Sequence, residues 1–336
     1  MVTQLSGRRI LVTGGSGFLG SVLVRRLAAC EPAAIVVPRS RLTDLRQEGD
    51  VAALFRATRP EVVFHLAATV GGIGANAANP GRFFYDNIAM GLHVIEHARR
   101  SGVRRLILIG TTCSYPKHTP TPFREAELWE GYPEETNAPY GIAKRALITM
   151  LQAYRVQYGL DGIALIPANL YGPGDNLDPE SSHVIPALIR KFVEAREEGR
   201  DHIVAWGTGR VTREFLYVED AAEGLILAAE RYNGGDPVNL GSGLEISVGE
   251  VADLIRRLVG FPGEIHWDPS RPDGQPRRQL DTHRAREAFG FAARTPLEAG
   301  LRATIDWYME RRARRQTRSA NEHEAVARGQ AGHSGR

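Results

Sequence analysis

Short apolar runs alternate with amphipathic stretches along the first half of the chain, and glycine, proline or a small polar cluster marks each changeover. Ile10-Leu-Val-Thr13 has the length and composition of a strand, leads into Gly14-Gly-Ser-Gly17-Phe18-Leu19-Gly20, and is followed by a helix-period pattern over 21–29. Further strand-like runs cover 33–37, 61–66, 105–110 and 162–167. Helical patterns lie between them, one through Asn87 and His93 and one carrying Tyr140 and Lys144. Repeated strand–helix alternation predicts an α/β protein with a Rossmann-type doubly wound parallel sheet and right-handed crossovers.

Beyond Gly172 the rhythm changes. Residues 182–192 form an amphipathic helix start, 204–215 read as strand and turn, and 247–259 as another helix. This pattern predicts a dinucleotide-binding domain over 1–172 with a return contribution from 214–245. A smaller α/β substrate-binding domain is expected from 173–213 and 246–316. The polar stretch 317–336 has too few apolar residues to bury and is expected to be disordered.

Bulk properties narrow the partners. A chain of 336 residues buries a full core, and no apolar run approaches the ~20 residues of a membrane span. The net charge of +3 is too slight to argue for nucleic acid. Its one concentration, over 311–318, has no aromatic residues among the arginines and suits a solvated helix end. Cys30 and Cys113 are too few for a disulfide framework and lack metal-site spacing, so no metal is expected. With no apolar leader before the first strand, the expected location is cytoplasmic.

Gly14, Gly17 and Gly20, between a strand and a helix, permit a tight turn, backbone approach to a pyrophosphate and close helix–strand packing. Dinucleotide binding is the consequence. The second strand ends in Pro38-Arg39-Ser40-Arg41, where two arginines replace the carboxylate that would bind a free ribose 2′-hydroxyl, so NADP is preferred to NAD. Asp44 is positioned to accept a hydrogen bond from the adenine amino group. In an open parallel sheet ligands bind outside the carboxyl ends of strands, which places Thr111 and Cys113 where chemistry occurs. Tyr140 and Lys144, four residues apart, share one helix face, and the ammonium is expected to lower the phenol's pKa.

These blocks together resemble the extended short-chain dehydrogenase/reductases. Val70-Gly-Gly-Ile to Asn76, Cys113-Ser-Tyr-Pro-Lys117, Asn169-Leu-Tyr-Gly-Pro173, the run 182–192, Trp206-Gly-Thr-Gly with Arg213-Glu-Phe, and Pro272-Asp-Gly resemble the GDP-L-fucose synthase branch over roughly residues 8 to 310. The resemblance implies NADPH-dependent 3,5-epimerisation and 4-reduction of GDP-4-keto-6-deoxy-D-mannose, with Thr111, Tyr140 and Lys144 running the reduction and Cys113 and His183 the epimerisation. Which of the last two is acid and which is base stays open. It also implies cofactor contacts from Phe18, Leu19, Leu45, Pro167, Asn169, Leu170 and His183 besides the residues above, nucleotide-sugar contacts from Lys191, Trp206, Arg213 and Asp273, and a homodimer.

Two departures stand out. Thr111-Thr112 replaces the branch's usual Ser-Ser, and Ser114 stands where an aliphatic residue is usual. The competing expectations are a reductase or epimerase of another nucleotide 4-keto-6-deoxyhexose, and a dinucleotide-binding sensor without turnover.

Overall fold

The computed structural model describes residues 4–179, 181–271 and 274–331. In chain order the first part comprises β1 (Arg9–Thr13), α1 (Phe18–Ala28), β2 (Ala34–Val36), α2 (Glu48–Thr58), β3 (Val62–His65), α3 (Ile73–Ala78), α4 (Pro80–Arg100), β4 (Arg105–Ile109), α5 (Ala138–Tyr158) and β5 (Gly162–Pro167). The second part comprises β6 (Asn169–Tyr171), α6 (Val184–Glu197), β7 (His202–Trp206), β8 (Thr212–Tyr217), α7 (Val218–Arg231), β9 (Val238–Leu240), β10 (Glu245–Ser247), α8 (Val248–Val259), β11 (Glu264–Asp268), α9 (His283–Phe289) and α10 (Leu297–Ala331).

Six parallel strands form the central sheet in the order β2-β1-β3-β4-β5-β9. Every residue of β3, β4 and β5 is buried, as expected for a parallel sheet covered on both faces by helices. That double coverage explains why these strands read as continuous apolar runs instead of alternating ones. Helix α4 packs on α5, and α1 packs on α7. Of the return segment, β9 joins this sheet and α7 packs against it, whereas β8 pairs with β6 and β10 in a separate three-stranded sheet.

A second core gathers Ile185, Ile189 and Phe192 of α6, Val251 and Ile255 of α8, Leu301 and Ile305 of α10, and Ile203 of β7. Helix α8 is delimited by local chemistry: Ser247 Oγ accepts from Glu250 N at 3.1 Å while Glu250 Oε2 accepts from Ser247 N at 2.9 Å, and Gly260 ends it with φ 72°.

One expectation needs correction. The stretch after residue 316 is helical through Ala331, as the continuation of α10. Lack of apolar residues argued for disorder, but over 317–328 the chain has no proline or glycine and is rich in alanine, glutamate and arginine, all strong helix formers. Among the described residues, Tyr308 is the last buried one on α10. No helix among the described residues is long and apolar enough to cross a membrane.

Truncation after residue 318 is therefore expected to leave the thermal midpoint within about 2 °C of the full chain, measured by calorimetry, because the last described buried residue of α10, Tyr308, is retained.

Candidate active site

The site is built at the carboxyl ends of β1, β4 and β5. Helix α5 starts with Pro139 in its first turn and places Tyr140 and Lys144 in the interior, where they are 9% and 2% exposed. Lys144 Nζ donates to the carbonyl of Ile109, the last residue of β4, at 3.0 Å. Burial pushes this ammonium down to about 8, so it still carries its charge near neutral pH.

The phenol behaves otherwise than the sequence predicts. Burial and the neighbouring Cys113 raise the Tyr140 pKa, and only a hydrogen bond with Thr111 acts in the opposite direction. Two causes explain the difference. Desolvation is the larger effect, and the Lys144 ammonium is directed at the Ile109 carbonyl. Tyr140 is consequently a protonated donor at neutral pH.

Thr111 sits at the end of β4 and caps a single 3₁₀ turn, Thr112–Ser114, its Oγ1 accepting from Cys113 N at 3.2 Å. This capping brings the hydroxyl, the thiol and the phenol into one cluster. His183 is carried separately, at the N-cap of α6, with no capping bond from its side chain. The side chain keeps an exposed face, and desolvation by the protein packed around the rest of it lowers the imidazole's pKa, which leaves it neutral and able to accept a proton.

Residues beyond the sequence expectation complete the cluster. Arg278 Nη1 lies 3.8 Å from Cys113 Sγ, and the same guanidinium donates to Gln275 Oε1 at 3.3 and 3.2 Å. Gln275 in turn accepts from Arg213 Nη1 at 2.7 Å through its carbonyl and donates from Nε2 to Lys117 O at 2.8 Å. Arg213 and Cys113 are thereby joined through two residues, Gln275 and Arg278. Nothing in Gln275-Pro-Arg-Arg278 marks in advance which arginine turns inward.

On the outer side, Lys191 Nζ donates to Val204 O at 2.6 Å and lies 6.0 Å from the Trp206 ring centroid. Arg271 stacks on the same ring at 4.9 Å. Trp206 is 56% exposed and thus presents an aromatic face flanked by two cations instead of filling the core. Asp273 lies outside the described residues.

The glycine turn fits a dinucleotide. Gly14 has φ 73°, and a Cβ there would lie 2.7 Å from Ala67 N; at Gly20 it would lie 2.1 Å from Gly14 O. Helix α1 begins with Phe18 and Leu19 and has no side-chain cap, which leaves its amide donors available to a pyrophosphate. Arg39 and Arg41 are exposed, with no carboxylate partner among the described residues, as a 2′-phosphate site requires. Leu45 is buried in the first core. Asp44 is already occupied, its carboxylate accepting from Arg46 Nη2 at 2.7 Å and held below the usual range by that pairing. Pro167 is the last residue of β5, Leu170 is the middle residue of β6, and Asn169 Nδ2 donates to Glu214 O at 3.0 Å.

Residues 10–241 match the profile of the NAD dependent epimerase/dehydratase family. The chain belongs to that family. Within the epimerase/dehydratase family it is similar to the GDP-L-fucose synthase of Sinorhizobium fredii, 43% identical over 91% of this chain and 96% of the relative. GDP-L-fucose synthase 1 of Arabidopsis thaliana is 41% identical over 90% and 93%. Among solved structures, a GDP-L-fucose synthetase from Naegleria fowleri bound to NADP superimposes with a TM-score of 0.84 at 30% identity, covering 92% of this chain and 96% of that one.

A further ionisable group was not foreseen. Asp175, three residues beyond Gly172, is buried, one carboxylate oxygen lacks a hydrogen-bond partner among the described residues, and burial pushes the carboxyl up to about 7. The folded chain holds this proton up to about pH 7, whereas the unfolded chain releases it near 3.8, so the group costs stability progressively as pH rises between those values. Asp175→Asn is expected to raise the melting midpoint at pH 8, with the gain shrinking as pH falls towards 4. A constant gain at both pH values would contradict the assignment.

Proposed function

We propose that this chain is an NADPH-dependent enzyme that converts GDP-4-keto-6-deoxy-D-mannose to GDP-L-fucose by epimerisation at C3 and C5 and reduction at C4. The observation carrying this reading is the meeting of Thr111, Cys113 and Tyr140 at the end of β4, with Lys144 behind them. NADPH, when bound along the glycine turn and the Arg39–Arg41 segment, supplies the hydride that reduces the ketone carbon.

The chain's own groups do the rest. Tyr140, kept protonated by burial, delivers its proton to the oxygen on C4 as negative charge develops there. Thr111 donates a hydrogen bond to the same oxygen. The C4 ketone acidifies the hydrogens at C3 and C5. Inverting either carbon needs one group to remove a proton and another to return one from the opposite face, roles we give to Cys113 and His183. The neutral imidazole of His183 is suited to accept a proton near pH 7.

Lys191, Arg213 and Trp206 are assigned to the GDP moiety. Lysine and arginine meet the diphosphate, and the indole offers a stacking surface to the base. Two unpaired thiols, Cys30 and Cys113, fit a reducing compartment, and we assign the enzyme to the cytoplasm. A homodimer is supported by apolar side chains left exposed on the paired helices, Tyr85 and Leu92 on α4 and Val156 and Tyr158 on α5.

Two outcomes follow. Tyr140→Phe is expected to lower NADPH consumption by about 100-fold or more while deuterium exchange at C3 and C5 persists, as read by absorbance and by NMR of the sugar; turnover surviving that change would contradict the reductase mechanism. Paired Leu92→Glu and Val156→Glu changes are expected to halve the mass measured by light scattering, and an unchanged mass would exclude these helices as the interface.

A further inference from the structure

Helix α5 carries two adjacent pairs of residues four apart. Tyr140 and Lys144 are the chemical pair; Gly141 and Arg145 face the turn that holds Cys113. A Cβ at Gly141 would lie 2.2 Å from the Cys113 carbonyl oxygen, so the backbone of the turn rests directly on the helix. Ser114 is fully buried and its hydroxyl donates to Gly141 O at 3.0 Å. One turn further along, Arg145 donates from Nε to Ser114 O at 3.1 Å, from Nη2 to the same oxygen, and from Nη1 to Gly131 O at 2.8 Å.

This arginine is unusual in what it lacks. No carboxylate pairs with it among the described residues, and burial lowers the guanidinium's pKa. A partly buried cation is being used solely to hold two neutral carbonyls, an arrangement that desolvation opposes and that packing alone does not require. Ser114 supplies the second half of the attachment. An aliphatic residue at that position has no donor for the Gly141 carbonyl.

We infer that Ser114, Gly141 and Arg145 form a clamp that fixes the thiol of Cys113 relative to the phenol of Tyr140, with Arg145 and Ser114 as positioning residues for epimerisation. The inference rests on the reading of Cys113 as an acid–base group in that step. The two reactive groups depend on the clamp unequally. Tyr140 is part of a helix of 21 residues, whereas Cys113 sits on a three-residue turn closed by two backbone bonds, Ser114 N to Thr111 O at 3.0 Å and Tyr115 N to Thr112 O at 3.1 Å, and by the Thr111 cap. Displacements of about 1 Å at a reacting group cost on the order of 100-fold. Loss of the clamp should therefore fall on proton exchange and spare the C4 chemistry.

The test separates the two. Deuterium exchange at C3 and C5 of GDP-4-keto-6-deoxy-D-mannose reports Cys113, and single-turnover oxidation of GDP-L-fucose by NADP+ reports Tyr140 without any epimerisation. In Arg145→Gln, exchange is expected to fall about 10- to 100-fold while C4 oxidation stays within about two-fold. Ser114→Ala should give the same pattern more weakly, and Arg145→Lys should restore part of the exchange because a single ammonium still reaches a carbonyl. Circular dichroism and the melting midpoint check that each variant is folded. Exchange and oxidation falling together, or neither falling, would overturn the clamp. A wild-type chain that oxidises GDP-L-fucose but never exchanges C3 and C5 would instead remove the epimerase reading itself, and the clamp's role with it.

Discussion

The contact on which the active site depends is the bond from the buried Lys144 ammonium to the carbonyl of Ile109. A cation excluded from water is costly, and one carbonyl offsets only part of that cost, which is why its pKa falls to about 8 instead of staying near its usual value. The bond joins the catalytic helix to the end of the central strand. Thr111 follows Ile109 by two residues, so the register of α5 on β4 sets the position of phenol, hydroxyl and thiol together. His65, fully buried at the end of β3 and accepting or donating at 2.7 Å with Thr13, is pushed down to about 3 by burial and by Lys144, and remains neutral beside the ammonium.

A second constraint connects the two cores. The loop containing Gln275 and Arg278 reaches from the second core to Lys117 and Cys113 beside the sheet, while Arg213, on a strand of the three-stranded sheet, is tied to the same loop. A ligand bridging Arg213 and Cys113 would meet groups already held in mutual register. This preorganisation is what a reaction needing proton removal and return on opposite faces of one sugar ring requires.

Much of this was legible in the residues. The glycine turn, the alternation of strand and helix and the Tyr140–Lys144 spacing identify the sheet and the cofactor end, because backbone geometry imposes those patterns locally. The direction of the Tyr140 pKa was misjudged because spacing reveals the partner at four residues but not the depth of burial or the competing carbonyl of Ile109. Arg278, Gln275 and Asp175 were missed for a related reason. Their importance arises from tertiary placement, and the neighbouring Arg277, which pairs with Glu245 at 2.9 Å, has the same chemistry in sequence. Disorder at the end of the chain was inferred from hydrophobicity, where helix propensity decides.

The central claim is that one chain both epimerises and reduces a GDP-4-keto-6-deoxyhexose, and it is tested most directly by turnover in deuterated water. Purified protein would be mixed with NADPH and GDP-4-keto-6-deoxy-D-mannose, the loss of nicotinamide absorbance followed, and the product sugar identified by NMR. The account predicts NADPH oxidation equal to product formed and GDP-L-fucose carrying deuterium at both C3 and C5. Oxidation yielding an undeuterated sugar with unchanged stereochemistry at those carbons would contradict it.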